Sequence, residues 1–181
     1  MTAATSTTAI QPLDEFYRRQ QRTLPTFEAV PADTLPEPQR SLLVHNRDMT
    51  RTLEQFHGAP IHLRVLSRHR EGGTYWRESA LQLDGSNQPV EFGAIKIHLD
   101  RFPEPGRSQI LNEHRPLGGI LNASGRPYTS RPTAYLRFGA DDFIARALNF
   151  SGRPILYGRQ NTLRDAEGIT LAEIIEILPP A

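Results

Sequence analysis

Arginine, carboxylates and histidine supply the reactive chemistry of this sequence, because it contains no cysteine. Thiol nucleophiles, thiolate metal sites and disulfides are thereby excluded. Lys96 is the single lysine among 21 basic residues, so nearly every cation is a guanidinium. That group stays charged and meets a planar carboxylate with two parallel hydrogen bonds, which makes some of these arginines candidate clamps for a small acid. The six histidines, at 45, 57, 62, 69, 98 and 114, include no pair at i, i+3 or i+4 that would turn two imidazoles toward one metal from a helix. The phosphate loop with its lysine, G-x-G-x-x-G, G-x-S-x-G and H-E-x-x-H are absent from the sequence. No metal and no cofactor is expected.

The elements that must hold these groups follow from periodicity. Residues 1–9, mostly Thr, Ala and Ser, are too poor in large apolar side chains to order themselves. Leu13, Phe16, Tyr17 and Leu24 predict a short amphipathic helix. Pro25, Pro31, Pro36 and Pro38 then predict an extended connector without regular structure over 25–40. Residues 1–40 are thus expected to form a flexible arm, and residues 41–181 the folded domain. From Asp48, Met49, Leu53 and Phe56 share a helical face, with Asp48 as N-cap and Gly58 as the stop.

Strands come next. Ile61, Leu63 and Val65 alternate with polar residues, while residues 75–83 and 90–99 flank the turn residues Asp84 and Gly85 as an antiparallel hairpin. Within the latter strand the apolar phase shifts across Gly93 from Val90 and Phe92 to Ile95 and Ile97, which predicts a bulge or bend there. Two short helical pieces broken at Pro116, a strand at TAYLRFG, a helix capped by Asp141 and two terminal strands complete the chain. Strands joined by tight turns, with helices inserted between groups, predict a single α+β domain, a mostly antiparallel sheet with helices packed on it.

The segments RDMTRTLEQFHG, YWRESALQL, RPLGGILN and YGRQNTLRDAEGITLAEIIEILPP, taken in order from about Ser41 to the C-terminus, resemble the chorismate lyase (chorismate pyruvate-lyase) family. The resemblance implies a chorismate lyase-like antiparallel α+β fold over a buried site. It also implies a cofactor-independent elimination of pyruvate from chorismate to leave 4-hydroxybenzoate, in the biosynthesis of quinones or aromatic secondary metabolites. It assigns the grip on the ring carboxylate to Arg77 and backbone contacts to Met49 and Leu117. The family's glutamate on the last strand has two candidates here. Counting from Ile169 favours Glu173, which is preferred, and counting back from the terminal prolines favours Glu176, the alternative. On a regular strand the two face opposite ways. Arg159, beside that strand, is nominated for the second carboxylate of chorismate. A buried glutamate shifted toward its neutral form could then donate a proton to the departing oxygen.

Two other readings stand beside the lyase: an aromatic-acid binding module of the same fold, as in effector domains of bacterial regulators, and a related lyase acting on another enol-ether or aromatic substrate. The roughly 40 preceding residues are too short and proline-rich for a winged helix, which favours the enzyme. A formal net charge of +1 gives no basic field for nucleic acid or an anionic membrane. The absence of a leader, and of any run of about 18 apolar residues, predicts a cytoplasmic protein without a membrane span. The expected partner is a small molecule, chorismate.

Overall fold

The computed structural model describes residues 10–181; the disorder expected of residues 1–9 lies outside the described residues. Seven strands form one sheet: β1 (Phe27–Val30), β2 (Ile61–Glu71), β3 (Thr74–Leu83), β4 (Pro89–His98), β5 (Tyr128–Gly139), β6 (Ile155–Asp165) and β7 (Thr170–Ile177). Their order is β1-β5-β6-β7-β4-β3-β2, and every neighbouring pair is antiparallel. β4 and β7 therefore lie at the centre, buried on both faces. Among the described residues no helix is long and apolar enough to cross a membrane.

One face carries Phe92, Ala94, Ile175 and Ile177 and packs against α1 (Leu13–Arg19) and α6 (Asp142–Leu148). The other is covered by α2 (Gln39–Leu43), α3 (Met49–His57), α4 (Gly106–Leu111) and α5 (Leu117–Ser124), through two separate apolar clusters. Ile95, Ile97, Leu117, Ile120 and Ile174 belong to one, and Met49, Leu53, Leu63 and Leu81 to the other. Where these clusters fail to meet, polar side chains fill the seam.

Three expectations need correction. Residues 25–40 are not a structureless connector: Phe27–Val30 fits between Pro25 and Pro31 as an edge strand, where prolines at the strand's ends do no harm. Residues 10–40 are thus part of the folded unit, with Ile10, Leu13, Phe16 and Tyr17 buried against the sheet. β4 has no break at Gly93; the register shift lies at Leu81/Gln82 instead. The apparent phase change arises because a strand covered on both faces has apolar residues in both phases.

The cap of α3 is as expected. Asp48 accepts hydrogen bonds from the amides of Thr50 and Arg51, and Gly58 adopts φ 66°, the left-handed conformation that ends a helix. Met49 and Leu53 are buried, while Phe56 lies largely in solvent.

Candidate functional site

The seam between the two clusters encloses a cavity of about 60 Å³. Its floor is built by successive rungs of the sheet. Arg77 of β3 pairs with Ile95 of β4, which pairs with Ile174 of β7; two residues along, Ser79 pairs with Gly93 and Gly93 with Glu176. Because side chains two apart on a strand share a face, Arg77, Ser79, Leu81, Glu91, Gly93 and Glu176 all line the cavity. Its roof is the first turns of α3 and α5, whose first residues, Met49 and Leu117, also line it. Helix N-termini carry partial positive charge, which favours an anion below them.

Arg77 is 2% exposed, and its Nε and Nη1 have no hydrogen-bond partner. Burial lowers its pKa, but a guanidinium remains charged across the ordinary pH range. A buried cation with two unused donors is costly unless a ligand completes it. Trp76, one residue on, faces the opposite side and stacks on His69 with ring centroids 4.3 Å apart.

The two glutamates are separated as pleat parity requires, and it is the alternative rather than the preferred one that faces the cavity. Glu176 lines the cavity and is 4% exposed. Glu173 does not line it; its carboxylate lies 3.5 Å from Lys96 Nζ and 3.3 Å from His98 Nε2 on the other face. The physical reason is a register shift beside Leu171: Leu163 pairs with Ala172 and Arg164 with Thr170, so Leu171 joins Ile174 in the cavity-side core.

Arg159 does not line the cavity either. It is fully buried, its Nε donates to Glu176, and its Nη1 donates to the carbonyls of Leu43 at 3.1 Å and His45 at 2.9 Å. It therefore ties the loop before α3 to the sheet. His45 packs on this tie, with Nε2 2.8 Å from the Leu42 carbonyl and Nδ1 accepting from the Arg47 amide. Burial, followed by the Arg159 charge, depresses its pKa to about 4.

Glu91 went unrecognised in the sequence. It is 5% exposed, its Oε2 has no hydrogen-bond partner, and desolvation together with nearby Glu176 raises its pKa well above the usual carboxylate value. The available signal was its pleat phase, shared with Ile95 and Ile97. Deeper in the seam, Asn161 Nδ2 donates to Ser130 Oγ at 2.9 Å. Outside the roof lies a wider concavity bordered by Arg47, Arg51 and Arg131, all exposed. Asp48, Asn122 and Tyr128 stand between the two spaces: Asn122 Nδ2 donates to Asp48 Oδ2 at 3.0 Å, and Tyr128 Oη to Asn122 Oδ1 at 2.9 Å. Among the described residues no cluster of three or more His, Asp or Glu is placed to hold a metal ion.

No family model matches the sequence, and no curated protein does either. Among solved structures, the chain is similar to PhnF from Mycobacterium smegmatis, at 14% identity and a TM-score of 0.57 over 75% of this chain and 65% of that one. It is similar to the effector domain of the same PhnF at 13% identity and a TM-score of 0.55, over 73% of this chain and 88% of that domain. The chain has the chorismate lyase-like fold. A third similar structure with this fold is YydK, a possible transcriptional regulator from Bacillus subtilis, at 8% identity and a TM-score of 0.51, over 66% of this chain and 58% of that one. The chain thus spans about two thirds of PhnF and most of its effector domain.

These neighbours, among them an effector domain and a possible transcriptional regulator, overturn the expectation of a carbon–oxygen lyase. The inference drawn from the proline-rich N-terminal segment fails with it. Residues 10–40 are built into the chorismate lyase-like fold, so their length says nothing against a binding module.

Proposed function

We propose that this chain is a small-molecule binding module and that its cavity takes a small organic acid, with an aromatic acid the best-fitting shape. The observation that carries this reading is the buried guanidinium of Arg77, whose Nε and Nη1 lack hydrogen-bond partners and would donate to a carboxylate. Leu63, Ile95, Leu117 and Ile174 supply apolar walls for a ring. Met49 and Leu117 set the positive ends of α3 and α5 above it. The exposed arginines outside the roof would draw an anion toward the entrance.

Thermal unfolding in the presence of benzoate, 4-hydroxybenzoate and benzamide tests this reading. A ligand that binds only the folded state stabilises it by about 2.7 kcal/mol at a concentration of 100 Kd. The carboxylates should raise the melting temperature and the amide should not; equal effects of acid and amide would contradict the role given to Arg77.

A further inference from the structure

The cavity is electrostatically asymmetric along β3 and β4. Arg77 pairs with Ile95, and Glu91 pairs with Leu81, so the two buried groups with unused polar atoms stand four residues apart on the ladder. At the ordinary rise of a strand this is about 13 Å between backbones. The groups acting electrostatically on Arg77 are Tyr75 and Glu113, whereas those acting on Glu91 are Glu176, Arg159 and Asp48. Arg77 and Glu91 therefore do not neutralise one another.

At the Glu91 end, two other carboxyl groups, Glu176 and Asp48, and one cation, Arg159, act on Glu91. Arg159 is committed to Glu176 and to loop carbonyls, and Asp48 to the amides of α3 and to Asn122. Between the two ends lies Gly93. A Cβ there would stand 3.3 Å from Glu91 Oε1 and 3.8 Å from Ser79 Oγ, so the Glu91 carboxyl folds over a floor that carries no side chain. Its Oε2 remains without a partner.

We infer that the cavity takes an aminocarboxylate, a small molecule whose carboxylate meets Arg77 and whose protonated amine, at the opposite end, meets Glu91 beside Glu176. This deepens the organic-acid reading and rests on it. A simple acid would complete Arg77 but leave the Glu91 oxygen buried and unpaired. A hydroxyl would give Glu91 one hydrogen bond and leave the local excess of carboxyl groups without a counter-charge. An ammonium supplies both. Burial and Glu176 raise the Glu91 pKa in the empty cavity, and an arriving ammonium favours the ionised carboxylate instead. Binding of the ammonium is then coupled to loss of a proton from Glu91.

Three probes of one shape make the test: 4-(aminomethyl)benzoate, 4-(hydroxymethyl)benzoate and 4-methylbenzoate, titrated calorimetrically into the full chain at pH 7 in buffers of differing ionisation enthalpy. The amine should bind at least about tenfold more tightly than the methyl compound and, unlike it, release protons, seen as a buffer-dependent binding enthalpy. Glu91→Gln should abolish both the preference and the proton release. Similar binding of all three probes by the wild type, or an amine preference kept in folded Glu91→Gln, would overturn the inference and leave the organic-acid reading standing. Failure of all three to bind would overturn both. Proton release is read on the wild type, so the test does not depend on the variant folding.

Discussion

The first turn of α5 is seated directly on the cap of α3: a Cβ added to Gly118 would overlap the Asp48 carboxylate, the same group that accepts from the Thr50 and Arg51 amides. This contact closes the roof of the cavity, because Asp48, Met49, Leu117 and Gly118 all line it. Gly118→Ala should push Asp48 off the helix it caps. Loss of such a cap costs about 1 kcal/mol, within a range of roughly 0.5–2. Chemical denaturation should show a loss of that size and hydrogen exchange should accelerate at Thr50 and Arg51; unchanged exchange there would mean that the roof accommodates the methyl group in another way.

The buried tie between Glu176 and Arg159 sets the two glutamates of β7 apart. Glu176→Ala leaves a fully buried guanidinium without its carboxylate, a change of the kind that costs about 3–5 kcal/mol. Glu173, a third exposed beside Lys96 and His98, should cost less than about 1 kcal/mol on truncation. Urea unfolding of both variants measures this, and comparable losses would contradict the placement.

His45 makes stability depend on pH in a fixed direction. Its pKa in the folded protein is about 4 against an ordinary 6.5, so the unfolded chain takes up the proton first as pH falls. Its contribution is fully present above about pH 6.5 and is lost progressively toward pH 4. His45→Gln, compared with the wild type at matched pH, should flatten the decline between pH 6.5 and 4. A parallel decline in both proteins would show that the depression is absent.

Glu91 acts in the opposite sense. Its pKa is raised in the folded state, so its contribution is present below the ordinary carboxylate value of 4.5 and is lost as pH rises toward the folded pKa. Glu91→Gln should therefore gain stability over the wild type as pH increases above about 5, and the gap should close in acid. A gap independent of pH would mean that Glu91 is ionised in both states.

The parts of this architecture written in local chemistry were legible in the sequence. Asp48 and Gly58 bracket α3 because a carboxylate cap and a left-handed glycine are local requirements. The opposition of Arg77 and Trp76 follows from the period of a strand. What was hidden depended on tertiary context. The register shift beside Leu171 is a property of strand pairing, and it brings Leu171 onto the side of Ile174 although they are three apart in sequence. Phe27–Val30 becomes a strand only because β5 offers it an edge. Glu91 was obscured by Val90 and Phe92, apolar neighbours in the other phase of a strand that both faces bury.

Arg77 carries the central claim, that the cavity recognises a carboxylate. Calorimetric titration of benzoate into the wild type, Arg77→Lys and Arg77→Met tests it most directly. Lysine keeps the charge without the planar fork, and methionine removes the charge while filling much of the space. Binding to the folded Arg77→Met variant should weaken by roughly 1.5–3 kcal/mol, the scale of hydrogen bonds to a charged group, with Arg77→Lys in between. Unchanged benzoate affinity in folded Arg77→Met would contradict the account.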